Sequence, residues 1–501
     1  MGEVGPSSEG LRVAVFPHDG TGHLNPQLAL VDGMVKRGAV ARFYLLTEKN
    51  KANIDAFGRR FEGKITTKVL GQLADFHDFV VPVAEQSDSD RLVSDLVLAS
   101  AGQALAYMDK VLADFEEYKP DLIIHDPFEL VACLAAEIKR LPSVTTITVP
   151  NFNSYPILSG LQSDDEWTAC FEDHLNSQTL QRIGAQFKDR HGFDPHNPIF
   201  TVPMSCYHPS GLPLCTGLRS FQQKMPSVIQ KRIPSFVKLE ESCVYVGPML
   251  LSTSAGRISS QESSNTKHPL LDEPFPHDVV AKYKAEGRKI IYFSMGTVST
   301  SPYFWEHQGP ITKMYGARNN GKTFCRTLWQ HAFEAFGEKD DYAVIVATCT
   351  PSVDALDGFK IPRNFILRRR CPQLEVLNDC HVFFTHAGAN SLMESIQAEV
   401  PMIALPWFSD QFENAKMIAA LGVGLAHQDP LAEMTPRVML EDVEKILNNS
   451  EAFAERLRIT KDQFEAAGGV PKAIEAIEEY LKGFRRSGLH KKSYSETFFS
   501  K

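Results

Sequence analysis

Short apolar runs alternate with amphipathic stretches along most of this chain. LRVAVFP, Leu11 to Pro17, reads as a buried first strand, and the glycine-bearing loop HDGTGHLNP follows it. Asn25 then predicts a helix N-cap with Pro26 at the first helical position, in a helix expected to run to Arg37 and end at Gly38. This places His23 on the tip of the first strand-to-helix loop. A second strand, Val40 to Leu46, comes at the short spacing of a parallel, helix-connected sheet. A long helical stretch, Arg91 to Tyr118, leads through Pro120 to the strand DLIIHD, which ends at Asp126. Glu129 to Arg140 is the next helix, Val144 to Val149 the next strand, and SCVYVGPML the last strand of this half. His125 and Asp126, as neighbours on a strand, point to opposite faces.

From Leu251 the pattern gives way to LSTSAGRISSQESSN, a Ser-rich polar stretch that marks an interdomain linker. The alternation resumes with GRKIIYFSMGTVS, a strand and a first glycine turn, then a helix from Leu328 to Phe336 and a strand from Ala343 to Thr348. His381 to Thr385 is a buried strand, HAGANS turns the chain into the helix carrying SLMESIQAE, and Val400 to Leu405 is a further strand ending in PWFSDQ. Ser301 to Phe324 is longer than the connection requires and shows no clear period, so it is expected to be either functional, for instance a lid above the first glycine turn, or disordered. LEDVEKILNN and AGGVPKAIEAIEEYLKGF are amphipathic helices, and the basic, unpatterned tail after them is expected to be disordered. The expected boundaries are 1–250 and 270–465 for two domains and 251–269 for the linker. A last helix follows over 466–486, and a tail over 487–501.

Composition narrows the class. A chain of 501 residues is long for one core and comfortable for two, and 43% hydrophobic with 23% charged residues is the balance of a water-soluble globular protein. A net charge of -9 gives no reason to expect a nucleic-acid partner. Nine cysteines, without a C-x-x-C pair, signal neither a disulfide framework nor a zinc site. The N-terminus has no basic region before an apolar one, and no apolar run is long enough to span a bilayer. A cytoplasmic monomer without a transmembrane anchor is the expectation.

The chemistry concentrates between Asn364 and His427. A strand, a small-residue turn and a helix start present unpaired N–H groups and a positive dipole end to an anion, and Gly388 between two alanines lets phosphate oxygens approach the backbone. His386, Asn390 and Ser391 are then candidate phosphate partners. Glu394, one turn beyond Asn390 on the same helix face, suits a pair of ribose hydroxyls. Asp410 and Gln411 emerge at the carboxyl end of a strand, the edge at which open parallel sheets bind ligands. Two lures are set aside: Asp88 to Asp90 sits in a charged loop with no strand before it, and GARNNGK lacks the phosphate-loop frame.

CPQLEVL, then THAGANSLMES, then VPMIALPWFSDQFENA resembles the donor-binding signature of the family 1 nucleotide-sugar glycosyltransferases. The nearest branch is that of the macrolide and small-molecule enzymes of bacteria and fungi. The resemblance implies an α/β protein of the GT-B fold, with two Rossmann-like domains of parallel sheet facing across a cleft. It implies that Pro372 and Gln373 bound the uracil site, that His386 meets the diphosphate and Glu394 the ribose, and that Asp410 and Gln411 hold sugar hydroxyls, Gln411 favouring glucose. Gly296 and Thr297 match the family's small-residue turn near the donor phosphates. Arg370 stands where the family commonly has a Trp stacked on uracil; its guanidinium can stack on a base or turn outward, which leaves the base open. GTGHLNP resembles the loop with the family's catalytic His, so His23 is the base candidate, and Asp126 matches its partner. Local sequence alone also allows Asp126 to be a helix cap. His18 has no such match. Phe76, Phe79, Phe152, Tyr155 and Trp167 fall where the family builds its acceptor pocket, although aromatics at such spacing also serve as plain core.

These residues imply inverting transfer of a sugar, glucose by resemblance, from a UDP-sugar to a hydroxyl of a small lipophilic acceptor such as a polyphenol or polyketide. The UDP-sugar is a co-substrate, and no cofactor or metal is expected, because donors on the protein take the place of a bridging cation. A sterol or lipid acceptor, a non-UDP nucleotide sugar, and a nucleotide-sugar-binding protein without transfer are the alternatives. No G-x-G-x-x-G with a following acidic residue supports a dehydrogenase.

Overall fold

A computed structural model describes residues 10–73, 77–88, 91–154, 163–192, 206–251 and 268–487. The chain divides into two compact units, one of Met1–Leu250 with Ala467–Lys501 and the other of Leu251–Ala466. The expected linker, except its ends, and the tail beyond Ser487 lie outside the described residues.

The first unit is built on a seven-stranded parallel sheet. Its strands are β1 (Arg12–Phe16), β2 (Val40–Thr47), β3 (Ile65–Leu73), β4 (Leu122–His125), β5 (Ser143–Ile147), β6 (Leu212–Cys215) and β7 (Val244–Tyr245), in the order β3-β2-β1-β4-β5-β6-β7. The central strands are continuous apolar runs because helices cover both faces of such a sheet. The order reverses between β1 and β4, so the chain leaves these two neighbours in opposite directions and opens a crevice at their carboxyl ends. The last helix, Gly469–Ser487, belongs to this unit: a Cβ on Gly33 of the helix Thr21–Lys36 would stand 2.5 Å from Val470. Tyr480 adds a hydroxyl that donates to the Ser210 carbonyl at 2.9 Å and accepts from the Ser143 N–H at 3.1 Å.

The first helix differs from its expected start. It begins at Thr21, with extended Gly20 as N-cap, and Pro26 lies inside it. The Gly20 carbonyl accepts from the His23 and Leu24 N–H groups, both at 3.0 Å. Pro26 lacks only the N–H that would reach back to Gly22, so it is tolerated one turn later than expected. His23 therefore sits on the first helical turn, not on a loop tip.

The second unit repeats the plan with six parallel strands: β8 (Lys289–Ser294), β9 (Tyr342–Ala347), β10 (Phe365–Arg368), β11 (Val382–Thr385), β12 (Met402–Ala404) and β13 (Gly424–Ala426). Their order is β10-β9-β8-β11-β12-β13, which places the reversal between β8 and β11. Phe293 and Phe384 stack across these two strands at 4.1 Å, and Tyr292 and Phe383 at 4.9 Å. The stretch expected to be either functional or disordered is folded. It forms the short helices Pro302–Glu306 and Pro310–Met314 and buries Phe304, Trp305 and Ile311 before the helix Gly321–Phe336. Its apolar residues are too irregularly spaced to show a period, yet Ala317 and Phe324 are buried as well as these three.

Candidate active site

In the first unit the crevice at the sheet reversal holds an imidazole and a carboxylate. His23 Nδ1 lies 2.8 Å from Asp126 Oδ2, although 103 residues separate them in sequence. Asp126 follows β4 directly, and its backbone N–H donates to the Phe16 carbonyl at the end of β1, so the pairing of the two strands fixes its position. The Phe128 N–H donates to Asp126 Oδ1 at 3.1 Å, while the helix cap falls to Glu129. Thr148 Oγ1, just past β5, stands 3.2 Å from the same nitrogen of His23.

Burial alone would raise the Asp126 carboxyl. The neighbouring His23, its hydrogen bond, and His18 outweigh that cost and hold it below the ordinary carboxylate range. Glu129 goes the other way: burial first, then the charges of Asp126 and Asp19, push its carboxyl well above normal. A carboxyl held low thus faces His23, and one pushed up by burial stands behind it. His18 Nδ1 lies 3.7 Å from Glu129, and its ring meets that of His23 edge-on at 5.0 Å. His125 points to the opposite face, as its place beside Asp126 requires. Its Nδ1 donates to the Asp126 carbonyl at 2.9 Å, and its Nε2 accepts from the hydroxyls of Ser143 and Thr145, both at 3.1 Å.

The residues proposed for an acceptor pocket do not share one setting. Phe152 is buried between Tyr207 and Phe236, with ring centroids at 5.0 and 4.9 Å, and Trp167 is buried against Phe171 at 6.1 Å, so both pack in the unit's core. Phe79 lies half-buried on the helix His77–Gln86. Phe76 and Tyr155 lie outside the described residues.

In the second unit the reversal between β8 and β11 brings together the two glycine turns. Gly296 follows β8 with φ +74°, and Gly388 caps the helix Ala389–Gln397 after β11. A Cβ on either would stand 2.4 Å from His386 Nε2, so only glycine at both positions admits this ring. Burial pushes the His386 imidazole down to about 4, with the Ser294 carbonyl offsetting part of the shift, so the ring is neutral near pH 7. Thr297 follows Gly296 in this turn, and Asn390 and Ser391 fall in the first turn of the helix after Gly388.

Glu394 lies on that helix, buried. Gln373 Nε2 donates to its Oε2 at 2.7 Å and to Ser391 Oγ at 3.3 Å, while the Tyr292 hydroxyl donates to Gln373 Oε1 at 3.2 Å. The amide of Gln373 is thus engaged at both ends and orients the carboxylate. Pro372 caps the same helix, Gln373–Asp379, and Arg370 is exposed just before it. Asp410 caps the helix Gln411–Leu421 and takes the Asn414 amide at 2.8 Å. Gln411 Oε1 accepts from the backbone N–H groups of Trp407 and Phe408, at 2.9 and 3.0 Å.

Sequence reasoning passed over Thr148, Phe128 and Glu129. The legible signal was a polar residue at the carboxyl end of the strand beside β4, which picks out Thr148. Among the described residues no group of three or more His, Cys, Asp or Glu is arranged to hold a metal ion, and no disulfide joins any of the nine cysteines.

Two Rossmann-like units, each with a reversal of strand order at its centre, have the plan of the GT-B fold. Residues 353–464 match the family model described as UDP-glucoronosyl and UDP-glucosyl transferase. The NDP-glycosyltransferase YjiC of Bacillus licheniformis is 23% identical over 94% of this chain and 97% of its own. The oleandomycin glycosyltransferase of Streptomyces antibioticus is 34% identical over 32% of this chain and 37% of its own. CalG4, the calicheamicin glycosyltransferase, superposes with a TM-score of 0.61 at 19% identity, covering 94% of this chain and 98% of its own. The chain is thus similar to nucleotide-sugar glycosyltransferases over 94% of its length, and the family model itself is matched over residues 353–464. Among the described residues no helix is long and apolar enough to cross a membrane.

Proposed function

We propose that this chain moves glucose from UDP-glucose, with inversion, to a hydroxyl of a small lipophilic acceptor such as a polyphenol or polyketide. His23 is the base and Asp126 its partner. The observation that carries this reading is the 2.8 Å contact between His23 Nδ1 and the buried carboxylate of Asp126. A carboxylate on Nδ1 fixes the tautomer, leaves Nε2 to take the hydroxyl proton, and stabilises the imidazolium that forms. The acceptor oxygen bonds to the anomeric carbon on the face opposite the diphosphate. The bond to the diphosphate breaks and its electron pair leaves with UDP, giving a β-glucoside with the proton on His23. The helix start at Gly388 to Ser391 and an N–H of neutral His386 receive the charge that develops on the diphosphate. Glu394 takes the ribose hydroxyls, and Asp410 with Gln411 takes those of the sugar.

The test is a transfer assay with UDP-glucose, a panel of phenolic and polyketide acceptors, and chelator present, with the anomeric configuration of the product read by NMR coupling. A β-glucoside formed only when acceptor is present supports the reading. An α-glucoside, or UDP release indifferent to acceptor, contradicts it. Arg370 favours a second reading, because the exposed side chain occupies the place where the family stacks Trp on uracil. Turnover of dTDP- or GDP-glucose outrunning UDP-glucose in direct competition would replace the donor and leave the base assignment standing.

A further inference from the structure

The Pro302–Asn320 segment is folded onto one short turn, Trp407–Gln411, which carries the two residues read above as sugar contacts. Phe304 packs edge-on against Trp407 at 6.0 Å and tilted against Phe408 at 5.4 Å, and Tyr315 packs against Phe408 at 4.7 Å. The Trp407 Nε1–H donates to the Asn319 carbonyl at 3.1 Å and to its side-chain oxygen at 3.3 Å. The Ser409 N–H donates to the Tyr315 carbonyl at 2.8 Å, and Ser409 holds φ at +60°, a conformation L-residues keep only when neighbours enforce it. Gly316 lies close under Phe412, where a Cβ would stand 3.0 Å from the ring.

The turn is therefore satisfied from two sides. Three successive backbone N–H groups find acceptors: those of Trp407 and Phe408 on Gln411 Oε1, and that of Ser409 on the segment. Because Oε1 is engaged twice, the side-chain amide of Gln411 cannot flip without breaking both bonds. Only its N–H₂ is left to meet a ligand, so the hydroxyl it faces must accept. Discrimination between sugars that differ in one hydroxyl depends on holding such a donor within a fraction of an ångström, and here the segment holds the backbone that carries it.

We propose that the Pro302–Asn320 segment sets the choice of donor sugar by holding the Trp407–Gln411 turn in place, with Phe304, Tyr315 and Asn319 as its positioning residues. This rests on the reading of Asp410 and Gln411 as sugar contacts, so Asp410→Asn is measured alongside. The experiment compares kcat/KM for UDP-glucose and its C4 epimer UDP-galactose, or the dTDP pair if the native chain prefers it. The chains are the native protein, Trp407→Phe, Phe304→Leu and Asp410→Asn, and UDP affinity is titrated separately. Trp407→Phe keeps an aromatic side chain and removes the indole N–H bonds to Asn319, so it reports even if Phe304→Leu does not fold. The expected result is a roughly tenfold loss of the glucose-to-galactose ratio in both segment-facing variants, with UDP affinity within about twofold of native. A ratio unchanged in Trp407→Phe while Asp410→Asn collapses it overturns the proposal and spares the sugar-contact reading. A ratio unchanged in all variants overturns both. An equal fall for both sugars that tracks UDP affinity assigns the segment a purely structural role and overturns the proposal.

Discussion

Gly296 and His386, at the carboxyl ends of adjacent strands, stand so close that a methyl group on the glycine would lie 2.4 Å from the imidazole Nε2. Gly296 also holds φ at +74°, so an alanine there meets both backbone strain and a collision. Gly296→Ala is expected to cost about 1–3 kcal/mol of stability and to weaken UDP binding by roughly tenfold through displacement of His386. Thermal melts with a UDP titration check this. Unchanged UDP affinity would separate His386 from the diphosphate.

Glu394 is presented by Gln373, whose amide is braced in turn by the Tyr292 hydroxyl. If the carboxylate accepts from ribose hydroxyls, Glu394→Gln raises the donor KM by roughly 10- to 100-fold while kcat stays near native, the signature of lost ground-state binding. The check uses 2′-deoxy-UDP-glucose. The native chain is expected to discriminate against it and the variant is not; equal discrimination by both would remove Glu394 from the ribose.

Acid sensitivity follows from His125, which is buried beneath the dyad and whose imidazole burial pushes down to about 4. The folded state then binds a proton less readily than the unfolded chain. The stabilisation is complete above about pH 6.5 and is lost as pH falls toward 4, with a magnitude of roughly 3 kcal/mol. His427, bonded to Asp442 at 2.6 Å and to Glu433 at 3.1 Å, is shifted upward and contributes in the opposite sense, losing its stabilisation as pH rises. Denaturant midpoints between pH 7 and 4 are expected to fall for the native chain and to fall less steeply for His125→Asn. Parallel slopes would contradict the assignment.

Much of the fold was legible because the parallel strands are unbroken apolar runs and the turns are marked by glycine. The glycine turn at Gly388 and the carboxylate one helical turn beyond Asn390 were visible from spacing alone, and the resemblance added the roles proposed for them. The start of the first helix was misread because Pro26 fits the first turn of a helix so well that it masked a start five residues earlier, where extended Gly20 serves as the cap. Ser301 to Phe324 was opaque for a different reason. Its apolar residues pack in ones and twos onto Trp329, Trp407 and Phe408, contacts distant in sequence that leave no periodicity. Phe152 and Trp167 show the same limit, since an aromatic in a core and one in a pocket have the same local sequence. Thr148 was readable only once β4 and β5 were known to be neighbours.

The most direct measurement is the rate of sugar transfer at saturating donor and acceptor for the native chain, His23→Ala, Asp126→Asn and the double variant, with UDP affinity measured on each. If His23 is the base and Asp126 orients it, each single variant is expected to lose roughly 10³- to 10⁴-fold in rate, and the double variant to be little worse than either. UDP affinity should be unchanged throughout. Transfer by His23→Ala within about tenfold of native, or losses in the two single variants that multiply in the double, would contradict a dyad acting as one unit.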